Sequence, residues 1–249
     1  MLTEERHKKI LEIIDKKGSV NAQELMVALD ASESTIRRDI TTLANEKKLI
    51  KVHGGAIKIE RESFSTKDDE VLLRKERNMK EKIAIAKLAA SLIEDDDFVY
   101  LDAGTSTGVM IDFLTARNPV FVTNAIEHAR DLTRKGYKVY LIGGEYKSAT
   151  EAIVGEEAAL SLQKYHFTKG FFGANGISID EGLTTPEIKE AMIKKTAIAA
   201  TKQSYFLLDH TKFGEISAIT FADITEGTIV TDKVPNEEYR EKAKILEVE

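Results

Sequence analysis

Ser32-Glu33-Ser34-Thr35-Ile36-Arg37-Arg38-Asp39 is the stretch whose reading decides the first fold in this chain. Serine is a favoured helix cap, and an acid in the first turn suits the helix dipole. Ile36, Ile40 and Leu43 then fall at i, i+4 and i+7, so that stripe must face a core. With side chains advancing about 100° per residue, Ser34, Arg38 and Thr41 point directly away from it, flanked by Thr35 and Arg37. The result is a helix with an apolar back and a polar, arginine-bearing front.

Upstream, Thr3-Glu4-Glu5 opens a helix whose apolar face is Ile10, Ile13 and Ile14, and Lys16-Lys17-Gly18 closes it. Asn21-Ala22-Gln23-Glu24 is a capping box for a short second helix with Leu25 and Leu29 inward. Asp30-Ala31-Ser32 is the turn. Downstream, Leu49–Val52 and Ala56–Ile59 alternate apolar and polar residues around Gly54-Gly55, a hairpin with Lys51, His53 and Lys58 on its polar side. A short helix, a tight turn, a cationic helix and a basic hairpin make an α+β winged helix-turn-helix, a module that reads duplex DNA.

The charge distribution agrees with a small nucleic-acid module on a larger acidic body. The net charge is −6, but residues 1–60 hold 11 Lys/Arg against 10 Asp/Glu and the rest hold 25 against 32. DNA binding must therefore rest on where the cations sit rather than on their number. The chain has no cysteine, which excludes disulfides and Cys-ligated metal sites, and its five histidines have no metal spacing. The reading implies no cofactor. The polar N-terminus and the lack of any run near the ~20 apolar residues of a membrane span predict a cytoplasmic protein without a membrane partner.

Residues 59–74 are charged, lack a long apolar run and read as a linker between a domain at 1–58 and one at 75–249. Asn78-Met79-Lys80-Glu81 reads as a capping box for a helix whose inward face is Ile83, Ala86, Ala90 and Ile93. Beyond it, short apolar runs (98–101, 120–122, 139–142, 170–172, 205–208, 228–230) alternate with helical stretches at 105–115, 125–135, 156–163 and 187–200. Buried strands separated by helices predict an α/β parallel sheet.

Ligands bind such sheets at the carboxyl ends of the strands. Asp102-Ala103-Gly104-Thr105-Ser106-Thr107-Gly108 follows one strand, and Thr123-Asn124, Gly143-Gly144-Glu145 and Asp209-His210-Thr211-Lys212 follow others. The loop from Gly173-Ala174-Asn175-Gly176 to Glu187 is a candidate lid. No Lys-Ser/Thr pair follows Gly108, so the first turn is not a P-loop. Hydroxyl donors on two of these turns and an ammonium on a third favour a small phosphorylated polyol.

With both halves read, the chain resembles the DeoR-type family of bacterial sugar-metabolism repressors over nearly its full length. The resemblance rests on the helix-turn-helix at 20–39, the wing His53-Gly54-Gly55-Ala56, and the turns at 102–107, 123–124, 143–144, 173–176 and 209–214. It implies a sensor domain related in fold to sugar-phosphate isomerases, homo-oligomers (dimer or tetramer) on operator DNA, and release by a phosphorylated sugar. Within the family the wording is most similar to the fructose-operon repressors of Gram-positive bacteria, which implies fructose 1-phosphate.

On this reading Ser34, Thr35, Arg37, Arg38, Thr41, Lys51 and His53 meet DNA. Thr105, Ser106 and Thr107 hold the phosphate, Lys212 balances its charge, Asp102 and Asn124 take the sugar hydroxyls, and Gly104 belongs to the same effector site. One rival is a sugar-phosphate isomerase or deaminase fused to a DNA-binding module, with Asp180, Glu181, Glu145 or Glu187 as base. No carboxylate stands in a matched motif beside a group that would tune it, so the expectation is no catalysis. A second rival, an architectural or activator protein without an effector, leaves the polar sheet edge unexplained.

Overall fold

The computed structural model describes residues 3–46, 48–52, 54–57, 63–65 and 71–248. The chain divides into two compact units, Met1–Arg61 and Glu62–Glu249.

In the first unit, α1 (Thr3–Lys17) ends where Gly18 turns to φ +74° and its N–H reaches the Ile14 carbonyl at 2.8 Å. A short strand β1 (Ser19–Asn21) follows, then α2 (Ala22–Leu29), capped by the Asn21 side chain accepting from the Glu24 N–H at 2.8 Å. Ser32 caps α3 (Glu33–Asn45). The wing is β2 (Ile50–Val52) and β3 (Gly55–Ile57), with β1 added on its far side in the order β1-β3-β2. That third strand was not anticipated, because Ser19–Asn21 reads locally as a helix entry. Gly55 is required by it: a Cβ there would lie 2.2 Å from the Val20 carbonyl oxygen. The core gathers Ile10, Ile14, Leu25, Leu29, Ile36, Ile40 and Leu43 as the periodicity demands. The alternation expected in β2 does not translate into burial. Ile50 and Val52 are both exposed, because β2 is an edge strand and Val20 and Ala56 already close the core.

Asp39 is buried behind the two arginines and ties α3 to α1. Arg6 donates to its two oxygens from Nε at 2.6 Å and Nη2 at 3.1 Å, and His7 Nε2 lies at 3.1 Å. Burial pushes the carboxyl pKa up, but the Arg6 and His7 hydrogen bonds outweigh it and hold the value below the ordinary 3.8. Its stabilising contribution is therefore present above that ordinary value and lost as pH falls through the lower folded one. Asp39→Asn should cost about 2–4 kcal/mol, because it leaves the partly buried Arg6 short of its counter-ion. Urea denaturation of the variant at pH 7 measures that loss, and the difference from wild type should shrink towards pH 3.

The second unit opens with β4 (Ser63–Ser65) and α4 (Val71–Glu76), so part of the segment read as a linker is regular structure here. Its body is α5 (Met79–Ser91), β5 (Phe98–Leu101), α6 (Thr105–Met110), β6 (Val120–Thr123), α7 (Ile126–Arg134) and β7 (Lys138–Leu141). A hairpin β8 (Glu145–Lys147) and β9 (Ala152–Val154) precedes α8 (Glu156–Leu162) and the long β10 (Phe167–Gly173). Next come β11 (Gly176–Ser178), β12 (Gly182–Thr185), α9 (Ile188–Ala199) and β13 (Thr201–Leu207). The chain closes with β14 (Glu215–Ser217), β15 (Ile219–Ala222), β16 (Thr228–Thr231), α10 (Glu237–Lys242) and β17 (Lys244–Glu247).

Seven of these strands form one wholly parallel sheet in the order β17-β16-β13-β10-β5-β6-β7. Its two faces follow the alternation of side chains along each strand. Tyr100, Phe172 and Phe206 meet α8 and α9, while Val99, Leu101, Phe171 and Leu207 meet Ile85, Ala86, Ala89 and Ala90 of α5. From β5 the chain winds towards β7 in one direction and, from β10, towards β17 in the other. The strand order thus reverses between β5 and β10, and a crevice opens beyond their carboxyl ends. The short strands make a β11-β12-β15 sheet and a parallel β4–β14 pair. No helix among the described residues is long and apolar enough to cross a membrane.

Candidate functional site

On the first unit, α3 presents Ser34, Arg37 and Arg38 to solvent, as the inward stripe of Ile36, Ile40 and Leu43 requires. The two arginines differ. Arg37 is held by Glu33 one turn earlier, through Nε at 2.8 Å and Nη2 at 2.6 Å. Arg38 is exposed, and no described residue hydrogen-bonds or ion-pairs with its guanidinium. Thr35 turns its hydroxyl to Ser32 at 2.9 Å. Thr41 donates to the Arg37 carbonyl at 2.8 Å and accepts from Lys51 Nζ at 2.9 Å, which draws the wing lysine against the helix. His53 lies outside the described residues.

On the second unit, the crevice between β5 and β10 contains a cavity of about 100 Å³. Gly104, Thr105 and Ser106 from the turn after β5 line it, together with Thr211 and Lys212 from the turn after β13. Three expected ligand contacts lie behind that wall instead. Thr107 is fully buried, and its hydroxyl donates to the carbonyls of Asp102 and Gly104 at 2.7 and 2.8 Å. The Asn124 amide is consumed by Tyr100 Oη at 3.1 Å, the Ala103 N–H at 2.8 Å and the Ile153 carbonyl at 3.2 Å. Asp102 Oδ2 accepts from the Gly173 N–H at 3.1 Å and from Lys194 Nζ. The common reason is burial: each polar group, taken out of water, must find protein partners, Thr107 within its own turn and Asp102 and Asn124 on neighbouring segments.

The cavity also has residues that the turns alone do not reveal. Lys194 on α9 bridges Asp102 to the Gly173 carbonyl, the latter at 2.8 Å, and so joins the ends of β5 and β10. Lys82 on α5 donates to the Arg74 carbonyl, and Arg74 and Arg77 line the cavity from α4 and the turn after it. Asn78 holds the N-cap position of α5, but its side chain makes no capping hydrogen bond. It sits at φ +51°, and its amide donates to Asp209 Oδ1 at 3.0 Å and Thr211 Oγ1 at 3.2 Å, in the cavity wall. A signal for the two lysines was present in the sequence. Lys82 stands in register with Ile85, Ala86 and Ala89, and Lys194 with Ala191, Ala197 and Ile198; both are charges on the inward stripe of a helix.

The electrostatics are lopsided. Arg74, Arg77, Lys82, Lys194 and Lys212 face the cavity with two carboxylates, Asp209 and Glu190. Burial pushes the Lys82 pKa down to about 8; Asp209 opposes that, while Lys212, Arg74 and Arg77 add to it. Burial would push Glu190 up, but the charges of Lys194 and Lys147 and hydrogen bonds from Lys147 and Thr150 hold it below the usual carboxylate range. Excess positive charge beside hydroxyl and backbone donors suits an anionic phosphate ester. The described residues contain no cluster that could hold a metal ion.

Comparison with known proteins agrees with both halves. Residues 6–62 match the DeoR-like helix-turn-helix domain, and residues 77–233 match the DeoR C terminal sensor domain. The chain is 43% identical over 249 residues to the uncharacterized HTH-type transcriptional regulator FruR of Bacillus subtilis (strain 168), covering 98% of each. It is 35% identical over 246 residues to the lactose phosphotransferase system repressor of Staphylococcus aureus (strain NCTC 8325 / PS 47), covering 96% of each. Among solved structures, ribose 5-phosphate isomerase A of Methanocaldococcus jannaschii aligns with TM-score 0.40 and 16% identity over 55% of each chain. A DNA-reading winged helix joined to a parallel-sheet sensor, matched along almost the whole chain, places this protein in the DeoR family of transcriptional regulators.

Proposed function

We propose that the protein represses a sugar-utilisation operon in the cytoplasm, and that a phosphorylated sugar in the β5/β10 crevice releases it from operator DNA. The observation that carries this reading is the cavity at the strand-order reversal. There Thr105, Ser106, Thr211 and five cationic side chains converge beyond the strand ends. One relative is named as a lactose phosphotransferase system repressor, which is in keeping with a sugar-linked effector. Fructose 1-phosphate, implied by the sequence resemblance, is the first ligand to try. Arg38 and Arg37 meet guanine or phosphate, Ser34 and Thr35 set the helix, and Lys51 carries the wing contact. Self-association compensates for the weak basicity of each DNA-binding unit.

The site is not built for turnover. Of the two carboxylates in the cavity wall, Asp209 is engaged by Asn78 and Thr211, and the lysine charges that hold Glu190 below the usual carboxylate range make it a weak base, which supports binding without turnover. A gel shift with fructose 1-phosphate, fructose 6-phosphate, tagatose 6-phosphate and ribose 5-phosphate tests the reading. One of them should release the operator at micromolar to millimolar concentration, and none should be converted by pure protein. Operator binding indifferent to all phosphorylated sugars would overturn the reading.

Lys82 gives the binding a pH dependence. A phosphate ester is mostly dianionic above its second pKa of about 6. It favours the charged amine, so the ligand raises the pKa of Lys82 and takes up a proton as it binds. Affinity should be greatest between about pH 6 and 8 and fall as pH rises through about 8, where the empty site loses this charge. Calorimetric titration from pH 7 to 9.5 should show it, and Lys82→Met should flatten the slope over that range.

A further inference from the structure

The geometry points to Glu190 as the residue that distinguishes a phosphorylated sugar from any other phosphate ester, by accepting a hydroxyl of the ligand on its Oε2 oxygen. This rests on the phosphorylated-sugar reading of the cavity and adds which end of the ligand lies where.

Glu190 sits one turn before Lys194 on the same face of α9, and both line the cavity. An ionised carboxylate has about four acceptor positions and no donor. Among the described residues three donors reach this one. Oε1 accepts from Lys147 Nζ at 3.0 Å and Thr150 Oγ1 at 2.8 Å. Oε2 accepts only from Thr185 Oγ1, at 3.2 Å. One acceptor position on Oε2 is left over in a carboxylate that forms part of the cavity wall. Such a position is filled by an O–H.

The same carboxylate repels a phosphate. The cavity is therefore polar end to end. Lys82, Lys212, Thr105 and Ser106 take the dianion, and the Glu190 side takes what a dianion cannot use. A hydroxylated ligand satisfies both ends; an alkyl phosphate brings no donor to the vacant acceptor of the half-buried Glu190, which costs affinity relative to the sugar phosphate. Lys194 has a matching role. Two of its three N–H groups go to Asp102 and the Gly173 carbonyl, and the third is available to the same ligand hydroxyl as a donor.

Calorimetric titration of the full-length protein with the sugar phosphate that binds best in the panel above, and with propyl phosphate, tests the assignment. Wild type should prefer the sugar phosphate by tenfold or more. Glu190→Gln keeps the size of the side chain but removes the charge and half of the acceptor capacity. It should weaken the sugar phosphate about tenfold to a hundredfold while leaving propyl phosphate unchanged or tighter. Equal loss for both ligands would make Glu190 a packing residue and overturn the proposal, as would an unchanged preference in the variant. Wild type that binds both esters equally well overturns the role of Glu190 while the anion site stands. Wild type that binds neither removes the sensor reading itself.

Discussion

Arg38→Ala should abolish operator binding at working concentrations without unfolding the protein. The side chain is exposed on the face opposite Ile36, Ile40 and Leu43, so its removal opens no cavity. No described residue holds its guanidinium, whereas that of Arg37 is already satisfied by Glu33. A guanidinium that reads a base is worth about 1–3 kcal/mol. In the self-associated form proposed above, two copies on a symmetric site would lose roughly thirtyfold to twenty-thousandfold in affinity. Gel shifts on operator and on scrambled DNA separate the two ways in which Arg38 can act. Loss confined to the operator means base reading. Equal loss on both, with the salt slope reduced by about one, means phosphate contact. Arg37→Ala should cost less, because part of what Arg37 offers DNA is offset by the Glu33 carboxylate it brings with it. Operator affinity unchanged in Arg38→Ala would remove α3 from the interface.

Lys212→Ala should give a repressor that cannot be induced. Lys212 lies on the turn after β13, beside Thr211 and Asp209 in the cavity wall. A hydrogen bond to a charged group contributes about 1.5–3 kcal/mol, so effector affinity should drop roughly tenfold to 150-fold. The residue belongs to the second unit and α3 to the first, so operator binding without effector should stay at the wild-type level. The variant should remain on DNA at effector concentrations that release the wild type. Linkage adds a check on the wild type alone: operator must weaken effector binding by the same factor by which effector weakens operator binding. Identical effector affinity with and without operator would show that the crevice is not coupled to DNA. This variant and Lys82→Met also differ in a useful way. Both lose phosphate affinity, but Lys82→Met should flatten the pH slope, whereas Lys212→Ala should keep it and move it to higher pH, since burial depresses Lys82 and Lys212 adds to that depression.

Much of this molecule was legible in its sequence, because the direction of a side chain within a helix or strand follows from the period of that element. The Ile36–Ile40–Leu43 stripe fixed which arginines face outward, and Asn21 and Ser32 cap the helices that their positions imply. The apolar runs at 98–101, 120–122, 139–142, 170–172, 205–208 and 228–230 all became strands of one parallel sheet. Local rules misled where a segment's partner lies far along the chain. Ser19–Asn21 became a strand only because Gly55 lets β3 approach it, and Ser63–Ser65 only because β14 is there to pair with it. Asn78 has the position of a helix cap, yet its amide serves Asp209, 131 residues away.

The site itself was decided by tertiary structure. Sequence placed hydroxyls and a lysine at strand ends, and Thr105, Ser106 and Lys212 do line the crevice. It could not say which strand ends adjoin, because strand order depends on pairings between distant segments. The reversal between β5 and β10 brings Asp102 to Lys194, 92 residues on, and sets Lys82, Glu190 and Asn175 around one cavity. The same burial that packs the turn after β5 turns Thr107 and Asn124 inward, since polar groups shut off from water bond to the nearest backbone rather than wait for a ligand. Periodicity determines which way a residue points; only the assembled sheet determines what it points at.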